Sequence, residues 1–357
     1  MKRIGIITLN GNYNFGNKLQ NYALQEYLKD KGYIVETIWN TDSKKKIIAI
    51  IKSNIKLGIN AIRNKTNTIK KQIKRNKNFK NMDQLINYSK YKLSKNKIDK
   101  KINEHYDYYI VGSDQVWNYN DPSFSGVYFL DFSDDKKKNV SYAASFGVDK
   151  IEQEISFITK KLKDFNYISV REKSAKDNLN KLGISNVSVN LDPTFLLKYE
   201  DWYKKLNLKT TKSKDKYVLC YFLGSKKPLK KIEEFCKNNN YKYIDILDIK
   251  SRYYESGPKE FLEYIKGAEI VFTNSFHATV FSIIFHKKLV AFDKDSSSKN
   301  VTNSRINDLL EMLNITNRKY KETTKIDDYN KLPPINVDKK IDELRKEADE
   351  YLDNALK

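Results

Sequence analysis

The chain has 357 residues and a formal net charge of +22 at pH 7, and a chain this long exceeds what one hydrophobic core usually serves, so we expect two domains. No apolar run approaches the roughly 18 residues of a membrane-spanning helix, and the apolar run near the N-terminus is too short for a signal peptide, which predicts a cytosolic protein. Cys220 and Cys236 have no close-spaced Cys or His neighbour, so the sequence predicts neither a disulfide nor a zinc site.

The first half of the chain predicts strands that alternate with helices. Short apolar runs predict strands, and amphipathic segments that end near a glycine predict helices. The predicted strands are residues 4–9, 33–39, 108–111, 139–144, 167–170 and 187–191, and the predicted helices are 17–31, 151–165 and 172–182.

Most of the net positive charge lies in one segment, residues 44–101, which contains nineteen Lys or Arg against two acids. The segment lacks zinc-finger spacing and an RNA-binding aromatic signature, so we expect no nucleic-acid partner. A stripe of isoleucines at helical spacing predicts a basic helical insertion; its members are Ile47, Ile51, Ile55, Ile59, Ile62, Ile69 and Ile73. Such a helix either contacts the inner face of an anionic membrane or a lipid-linked acceptor, or packs on the protein's own first domain or on a second subunit.

The second half repeats the alternation after a polar segment, residues 198–215, which predicts an interdomain linker. The predicted strands are 216–223, 241–246, 269–273 and 288–292, and the predicted helices are 228–238, 258–266, 275–285, 304–313 and 338–356. We therefore assign residues 1–197 to a first domain carrying the insertion, 198–335 to a second domain, and 336–357 to a C-terminal helix.

This alternation is typical of an α/β fold in which each half is a Rossmann-like, doubly wound parallel sheet. Such sheets bind ligands outside the carboxyl ends of their strands. The loops richest in polar side chains follow predicted strands directly, so we expect the functional residues at those ends.

Five segments carry a family resemblance. They read TLNGNYNFGNKLQNYALQ at 8–25, YYIVGSDQVWN at 108–118, VREKSA at 170–175, LDPT at 191–194 and TNSFHATVF at 273–281. Because these five segments occur in this order, the chain resembles the polysaccharide pyruvyl transferase family over roughly residues 1–315. The resemblance implies a GT-B-like pair of domains facing a central cleft, with the C-terminal helix at residues 336–357 crossing back to the first domain. It also implies transfer from phosphoenolpyruvate, as co-substrate, onto two hydroxyls of a sugar as a cyclic ketal, in capsule or exopolysaccharide synthesis, with no metal and no other cofactor.

Residues 273–281 predict a strand that turns into a helix, with Asn274 or Ser275 as its cap and His277 in its first turn. Such a helix end suits the donor phosphate. His277 is the candidate acid that protonates the methylene carbon of phosphoenolpyruvate; the alternative is a histidine with a structural role. Arg171 and Arg305 are candidate donor anion contacts. The alternatives are an ion pair of Arg171 with Glu172 or an Asp, and an ordinary helix position for Arg305.

On the acceptor side, Asp114 is the candidate base or hydrogen-bond partner for a sugar hydroxyl. The further acceptor candidates are Asp192, Trp117, Asn14, Asn17 and Gln20. Alternatives remain for four of these residues: an Asx turn for Asp114 and for Asp192, a core position for Trp117 and a solvent-facing position for Gln20.

One position departs from the family pattern, because many pyruvyl transferases carry arginine where this chain has Ser275. Either Arg305, Lys18 or Lys226 supplies the missing charge, or the donor differs. From the five segments together, the preferred function is a ketal-forming pyruvyl transferase acting on a cell-surface glycan precursor. The alternatives are a GT-B glycosyltransferase using a nucleotide sugar and a carbohydrate-binding protein without activity.

Overall fold

The computed structural model describes residues 1–9, 13–41, 66–94, 98–209, 215–224, 228–294 and 303–357. The chain divides into two compact units. Unit 1 comprises Met1–Lys65, Asp83–Leu196 and Glu343–Lys357, and unit 2 comprises Thr66–Met82 and Leu197–Asp342. Within the described ranges no helix combines the length and the apolarity needed to cross a bilayer.

Unit 1 is built on a parallel sheet of five strands in the order β3-β2-β1-β4-β5. These strands are β1 (Arg3–Ile7), β2 (Ile34–Asn40), β3 (Tyr88–Leu93), β4 (Tyr108–Val111) and β5 (Asn139–Ser141). A parallel pair, β6 (Ile168–Val170) and β7 (Val187–Val189), continues beyond β5 through isolated bridges. The strand order is that of a Rossmann fold.

The helices of unit 1 connect these strands and cover the sheet. They are α1 (Phe15–Asp30), α3 (Ile102–His105), α4 (Ile155–Leu162) and α5 (Lys173–Lys181). Helix α2 (Thr66–Asp83) lies between α1 and α3 along the chain, but most of it belongs to unit 2. The chain ends in α12 (Asp338–Ala355), whose Tyr351 hydroxyl donates to the Ser141 carbonyl at 2.7 Å. Ala348 and Leu352 of α12 are fully buried in a cluster with Ile4 and Ile6 of β1.

Unit 2 contains a second parallel sheet in the order β11-β10-β8-β9. Its strands are β8 (Tyr217–Tyr221), β9 (Lys242–Asp245), β10 (Ile270–Thr273) and β11 (Lys288–Ala291). Its helices are α6 (Tyr199–Leu206), α7 (Leu229–Asn238), α8 (Pro258–Gly267), α9 (Phe276–Ile284), α10 (Ser304–Met312) and α11 (Asp328–Lys331). The predicted α/β class, with one parallel sheet in each half, is confirmed.

The basic insertion differs from the expectation of one helical segment in the first domain. Helix α2 packs on unit 2: the buried Arg75 donates through Nη1 to the Tyr254 carbonyl at 2.8 Å, and Asn78 Nδ2 donates to the Glu255 carbonyl at 2.9 Å. Ile69 and Ile73 are 52% and 62% exposed, because the helix buries its Arg75 face instead. The five earlier isoleucines of the stripe lie outside the described residues.

The same insertion also contains a strand that the sequence analysis missed. Strand β3 is at the edge of the first sheet, with Ser89 and Leu93 buried and Lys90 and Lys92 exposed. Exposed lysines are a common feature of edge strands, because they discourage further strand pairing. Because of Lys90 and Lys92, the sequence analysis assigned the residues of β3 to the basic insertion.

The linker prediction for residues 198–215 is wrong over its first half, which forms α6. Trp202 of α6 is fully buried, with its ring centroid 5.0 Å from that of Phe281. Asp201 caps the helix by accepting the Lys198 backbone N–H at 2.9 Å. Only two large apolar side chains of this short helix are buried, Trp202 and Leu206, which is too few to give a recognisable period.

Candidate active site

The first group of candidate residues lies where β4 ends in unit 1. Gly112 follows β4 with φ +113°, and a Cβ atom there would lie 2.3 Å from the Tyr142 carbonyl oxygen. Only glycine fits this close approach in the left-handed region. The turn places Asp114, itself at φ 71°, next to β5, where its carbonyl accepts the Ser145 N–H at 2.9 Å.

Asp114 is held by the first helix of the unit. Asn17 Nδ2 donates to Asp114 Oδ2 at 2.5 Å, and the Gln115 backbone N–H donates to Asp114 Oδ1 at 2.9 Å. Asn14 caps α1, because its side-chain oxygen accepts the Asn17 N–H at 3.2 Å. Asn14 and Asn17 therefore fix the start of α1 beside the Asp114 carboxylate, as a pre-organised site requires.

Arg171 follows β6 and lies among three carboxylates. Its Nε donates to Glu172 Oε1 at 2.9 Å and its Nη1 to Asp192 Oδ2 at 2.8 Å. Nη2 lies 3.9 Å from Asp114 Oδ1. Arg171, Glu172, Asp192 and Asp114 form what we call the carboxylate cluster, and the side chains of all four are at most 8% exposed.

The charge balance of the carboxylate cluster is negative, with three carboxylates and one guanidinium. Burial on its own would lower the pKa of Arg171, but Glu172, Asp192 and Asp114 outweigh it and raise that pKa above its ordinary value. The guanidinium is therefore permanently charged and held by acids. This arrangement corresponds to the ion-pair alternative for Arg171. It argues against the predicted role, in which Arg171 binds a donor anion through two parallel hydrogen bonds.

Asp192 is also fully engaged within the unit. Its Oδ1 accepts the Thr194 N–H at 3.1 Å and the Thr194 hydroxyl at 2.7 Å, and its Oδ2 accepts the Ser113 hydroxyl at 3.1 Å. Asp192 thus makes the Asx-type turn that the alternative reading described. Sequence reasoning named Glu172 only as an alternative partner of Arg171. It did not select Ser113 or Thr194, which lie one position before Asp114 and two positions after Asp192.

Two acceptor candidates are core residues. Trp117 is fully buried, its ring stacks on Phe129 with centroids 5.7 Å apart, and its Nε1 donates to the Tyr128 carbonyl at 2.8 Å. Gln20 is fully buried and connects Thr8 Oγ1, at 2.9 Å, to the Ser113 N–H, at 3.2 Å. Neither side chain is available to a sugar, so the acceptor assignments of Trp117 and Gln20 are corrected to structural ones.

In unit 2 the second group of candidates lies where β10 ends. The Asn274 side chain accepts the Leu223 N–H at 2.7 Å and donates to the Leu223 carbonyl at 3.0 Å. The Thr273 hydroxyl donates to the Tyr221 carbonyl at 2.6 Å and accepts the Ser275 N–H at 3.0 Å. Asn274 thus joins the ends of two neighbouring strands, a structural contact rather than the predicted donor contact.

Helix α9 starts directly after this turn. Ser275 is its N-cap residue but makes no side-chain capping hydrogen bond, and the first N–H groups of a helix have no partner within the helix. His277, 8% exposed, lies in the first turn beside the Phe276 ring. Arg305, 9% exposed, is the second residue of α10. Lys18 pairs instead with Asp83 at 2.5 Å in unit 1, and Lys226 lies outside the described residues.

These features define a class of protein: a two-unit α/β chain with polar clusters at the carboxyl ends of parallel strands, the position where such sheets act on ligands. The sequence matches the family model of polysaccharide pyruvyl transferases over residues 14–296. The chain belongs to the polysaccharide pyruvyl transferase family. No curated protein shows significant similarity to it.

Solved structures resemble the chain at low identity. The UDP-GlcNAc 2-epimerase from Methanocaldococcus jannaschii aligns with a TM-score of 0.48 and 14% identity, covering 98% of this chain and 92% of that chain. The UDP-GlcNAc 2-epimerase from Neisseria meningitidis, bound to UDP-GlcNAc, aligns with a TM-score of 0.47 and 11% identity, covering 99% of both chains. The ADP-heptose LPS heptosyltransferase II from E. coli aligns with a TM-score of 0.39 and 11% identity, covering 100% of this chain and 98% of that chain.

Proposed function

We propose that this protein transfers the pyruvyl group of phosphoenolpyruvate onto two hydroxyls of a sugar in a cell-surface polysaccharide precursor. In this reaction the methylene carbon gains a proton, two acceptor oxygens bond to the neighbouring carbon, and inorganic phosphate leaves. Family membership supports the reaction class. The observation that carries the proposal is the start of α9, where an N-cap serine without a side-chain capping bond is followed two residues later by His277.

The start of α9 suits the donor for an electrostatic reason. A helix N-terminus carries a partial positive charge and several N–H groups without helical partners, and it binds phosphate and carboxylate groups well. We assign the donor anion to this helix end, with Arg305 as the additional cation. His277 would give its proton to the methylene carbon, the step for which a positioned acid is required.

The carboxylate cluster of unit 1 suits the acceptor instead. Its three carboxylates exceed its single guanidinium, so it repels an anionic donor and favours a neutral, hydroxylated molecule. Asp114 is the cluster member with the most exposed side chain, although it is only 8% exposed. We assign it to accept a proton from an acceptor hydroxyl. Arg171 then acts as a positioning residue that keeps the acids in place.

Phosphate release from phosphoenolpyruvate, measured with galactosyl and hexosaminyl acceptors, tests the proposal. We expect Asp114→Asn, which removes the base but keeps the shape, to lower kcat by about 100-fold with little change in the donor KM. Asp121→Asn is the matched control, because Asp121 lies on the same loop and its side chain accepts from the Ser123 N–H and hydroxyl; it should leave turnover unchanged. Release at the wild-type rate by Asp114→Asn would contradict the assignment.

We further propose that the basic insertion touches an anionic membrane surface, where a lipid-linked acceptor would be available. In α2, Ile69 and Ile73 are exposed beside lysines, and basic residues near anionic lipid are worth about 1 kcal/mol each. In liposome co-sedimentation we expect binding to anionic vesicles that falls at high salt and after Ile69→Ser with Ile73→Ser. Leu85→Ser, at an apolar side chain that is 47% exposed, is the control. Equal, negligible binding to anionic and neutral vesicles would refute membrane contact.

A further inference from the structure

Lys18 is a buried lysine in the first turn of α1, directly after Asn17. Its side chain is only 2% exposed, and its Nζ lies 2.5 Å from Asp83 Oδ1 within unit 1. A buried ammonium group is costly unless an opposite charge and further contacts compensate for the lost water. The partners of Lys18 therefore determine where the first turn of α1 can lie.

The partners of the Lys18 ammonium group belong to the sheet of unit 1 and to the end of α2. The Tyr88 hydroxyl donates to Asp83 Oδ1 at 3.0 Å and lies 3.5 Å from Lys18 Nζ. Burial, followed by the Asp83 carboxylate, raises the pKa of Tyr88 above its ordinary value, so the hydroxyl stays protonated and keeps this bond. The Trp39 ring centroid lies 5.7 Å from Lys18 Nζ, a cation–π distance, and 5.1 Å from that of Tyr88. Because Trp39 is in β2 and Tyr88 begins β3, these contacts tie α1 to two strands.

Asn17 and Lys18 hold the same helical turn from two directions. Successive side chains of an α-helix point about 100° apart. The contact of Asn17 Nδ2 with Asp114 Oδ2, at 2.5 Å, and the contact of Lys18 with Asp83 are therefore on different sides of α1. Contacts on two sides fix the rotation of a helix about its own axis. A rotation of α1 would move the Asn17 amide away from the Asp114 carboxylate.

We propose that Lys18 is a positioning residue for Asp114 and acts through Asn17. The ion pair with Asp83 orients the first turn of α1, that turn presents the Asn17 amide, and the amide orients the Asp114 carboxylate towards an acceptor hydroxyl. This role differs from the predicted one, in which Lys18 supplies the charge of the family arginine. It rests on the proposed assignment of Asp114 as the base, but the placement of the Asn17 amide can be measured without turnover.

Lys18→Met tests the role, because methionine keeps an unbranched apolar stem and removes the charge. Asp83 is 27% exposed, so water can solvate its carboxylate once the ammonium group is gone, and we expect the variant to fold. The opposite change, at Asp83, would leave the ammonium group buried without its anion and is less suitable for that reason.

Nitrogen–proton correlation NMR of the side-chain amides of the full chain reports the Asn17 contact directly. We expect the Asn17 amide signal of Lys18→Met to move in the direction seen in Asp114→Asn, because both variants break the same hydrogen bond. The amide signal of Asn139, whose Nδ2 donates to the Asp164 carbonyl at 3.0 Å in the same unit, is the internal control and should stay at its wild-type position.

Turnover separates a positioning role from a general loss of structure. We expect Lys18→Met to lower kcat for phosphate release about tenfold, the scale of one lost hydrogen bond to a charged group, with the donor KM unchanged. Asn17→Ala should have a similar effect, and the double variant should be no slower than Asn17→Ala, because the two changes break one shared contact. Lys29→Met is the matched control and should keep the wild-type kcat, since Lys29 pairs with Glu26 at 3.0 Å in the last turn of α1.

Two results would overturn the role of Lys18. The first is an Asn17 amide signal at its wild-type position in Lys18→Met. The second is a kcat loss in the double variant equal to the product of the two single losses, which would mean that Lys18 acts independently of Asn17. Failure of the proposed function has a different signature: the wild type releases no phosphate with any acceptor, while the Asn17 signal still moves in Lys18→Met and supports the placement of Asn17 by Lys18.

Discussion

Replacing Arg171 with methionine is expected to lower the free energy of unfolding of unit 1 by about 3–5 kcal/mol, the usual cost of removing one partner from a buried ionic network. Methionine keeps most of the side-chain volume but leaves Glu172, Asp192 and Asp114 buried without their cation. Urea unfolding measures the change, followed by tryptophan fluorescence, to which Trp39 and Trp117 of this unit contribute.

The pH dependence of this variant has a definite sign. The pKa of Arg171 is raised in the folded protein, so the guanidinium stabilises the wild type throughout the acidic and neutral range. In the variant the unneutralised carboxylates favour protonation, so its deficit should shrink as the pH falls from neutral. Arg252→Met, at an exposed arginine, is the control and should change stability by no more than about 0.5 kcal/mol. A stable Arg171→Met variant would mean that the cluster does not hold unit 1 together.

Replacing His277 with alanine is expected to lower kcat for phosphate release by about 100-fold or more, while the donor KM changes little. The reason is that proton donation to the methylene carbon contributes to the transition state and not to ground-state binding. The measurement is steady-state phosphate release at saturating phosphoenolpyruvate and acceptor.

His286 supplies the matched control for this prediction. It is also in unit 2, but it is more exposed and its Nε2 lies 2.8 Å from Asp338 Oδ1. His286→Ala should therefore keep the wild-type kcat. If His277→Ala loses no more activity than His286→Ala, His277 is not the proton donor.

Much of the fold was predictable because its strands are short, continuous apolar runs. Strand β4 spans the four predicted residues, Tyr108–Val111, and ends at the glycine that the sequence singled out. Helix α9, predicted at 275–285, spans Phe276–Ile284. Elements that are buried on both faces appear in the sequence as continuous apolar runs, which can be recognised without the structure.

The missed elements lack that pattern. Strand β3 alternates buried residues with lysines, and its pairing with β2 is a contact between segments more than fifty residues apart along the chain. Helix α2 contacts the residue 254 region of unit 2, again a distant segment. Long-range contacts such as these are set by tertiary packing, which overrides local propensity.

The candidate site shows the same division. The positions of Asp114, Arg171 and His277 after strands follow from the sequence, but their partners do not. Asp192 reaches Arg171 across 21 positions of the chain, and Trp117 is as compatible with a core as with a sugar site until its burial is known. Sequence therefore located the residues, and the structure assigned their environments.

The most direct test of the proposed activity uses phosphoenolpyruvate labelled with carbon-13 at its methylene carbon, a panel of galactosyl and hexosaminyl acceptors, and NMR of the purified product. We predict that the label appears in the acceptor as a methyl group on a quaternary ketal carbon, together with an equal amount of inorganic phosphate. The contrary result is an acceptor without label from any of these sugars, with transfer from a nucleotide sugar instead; this would replace pyruvyl transfer with glycosyl transfer.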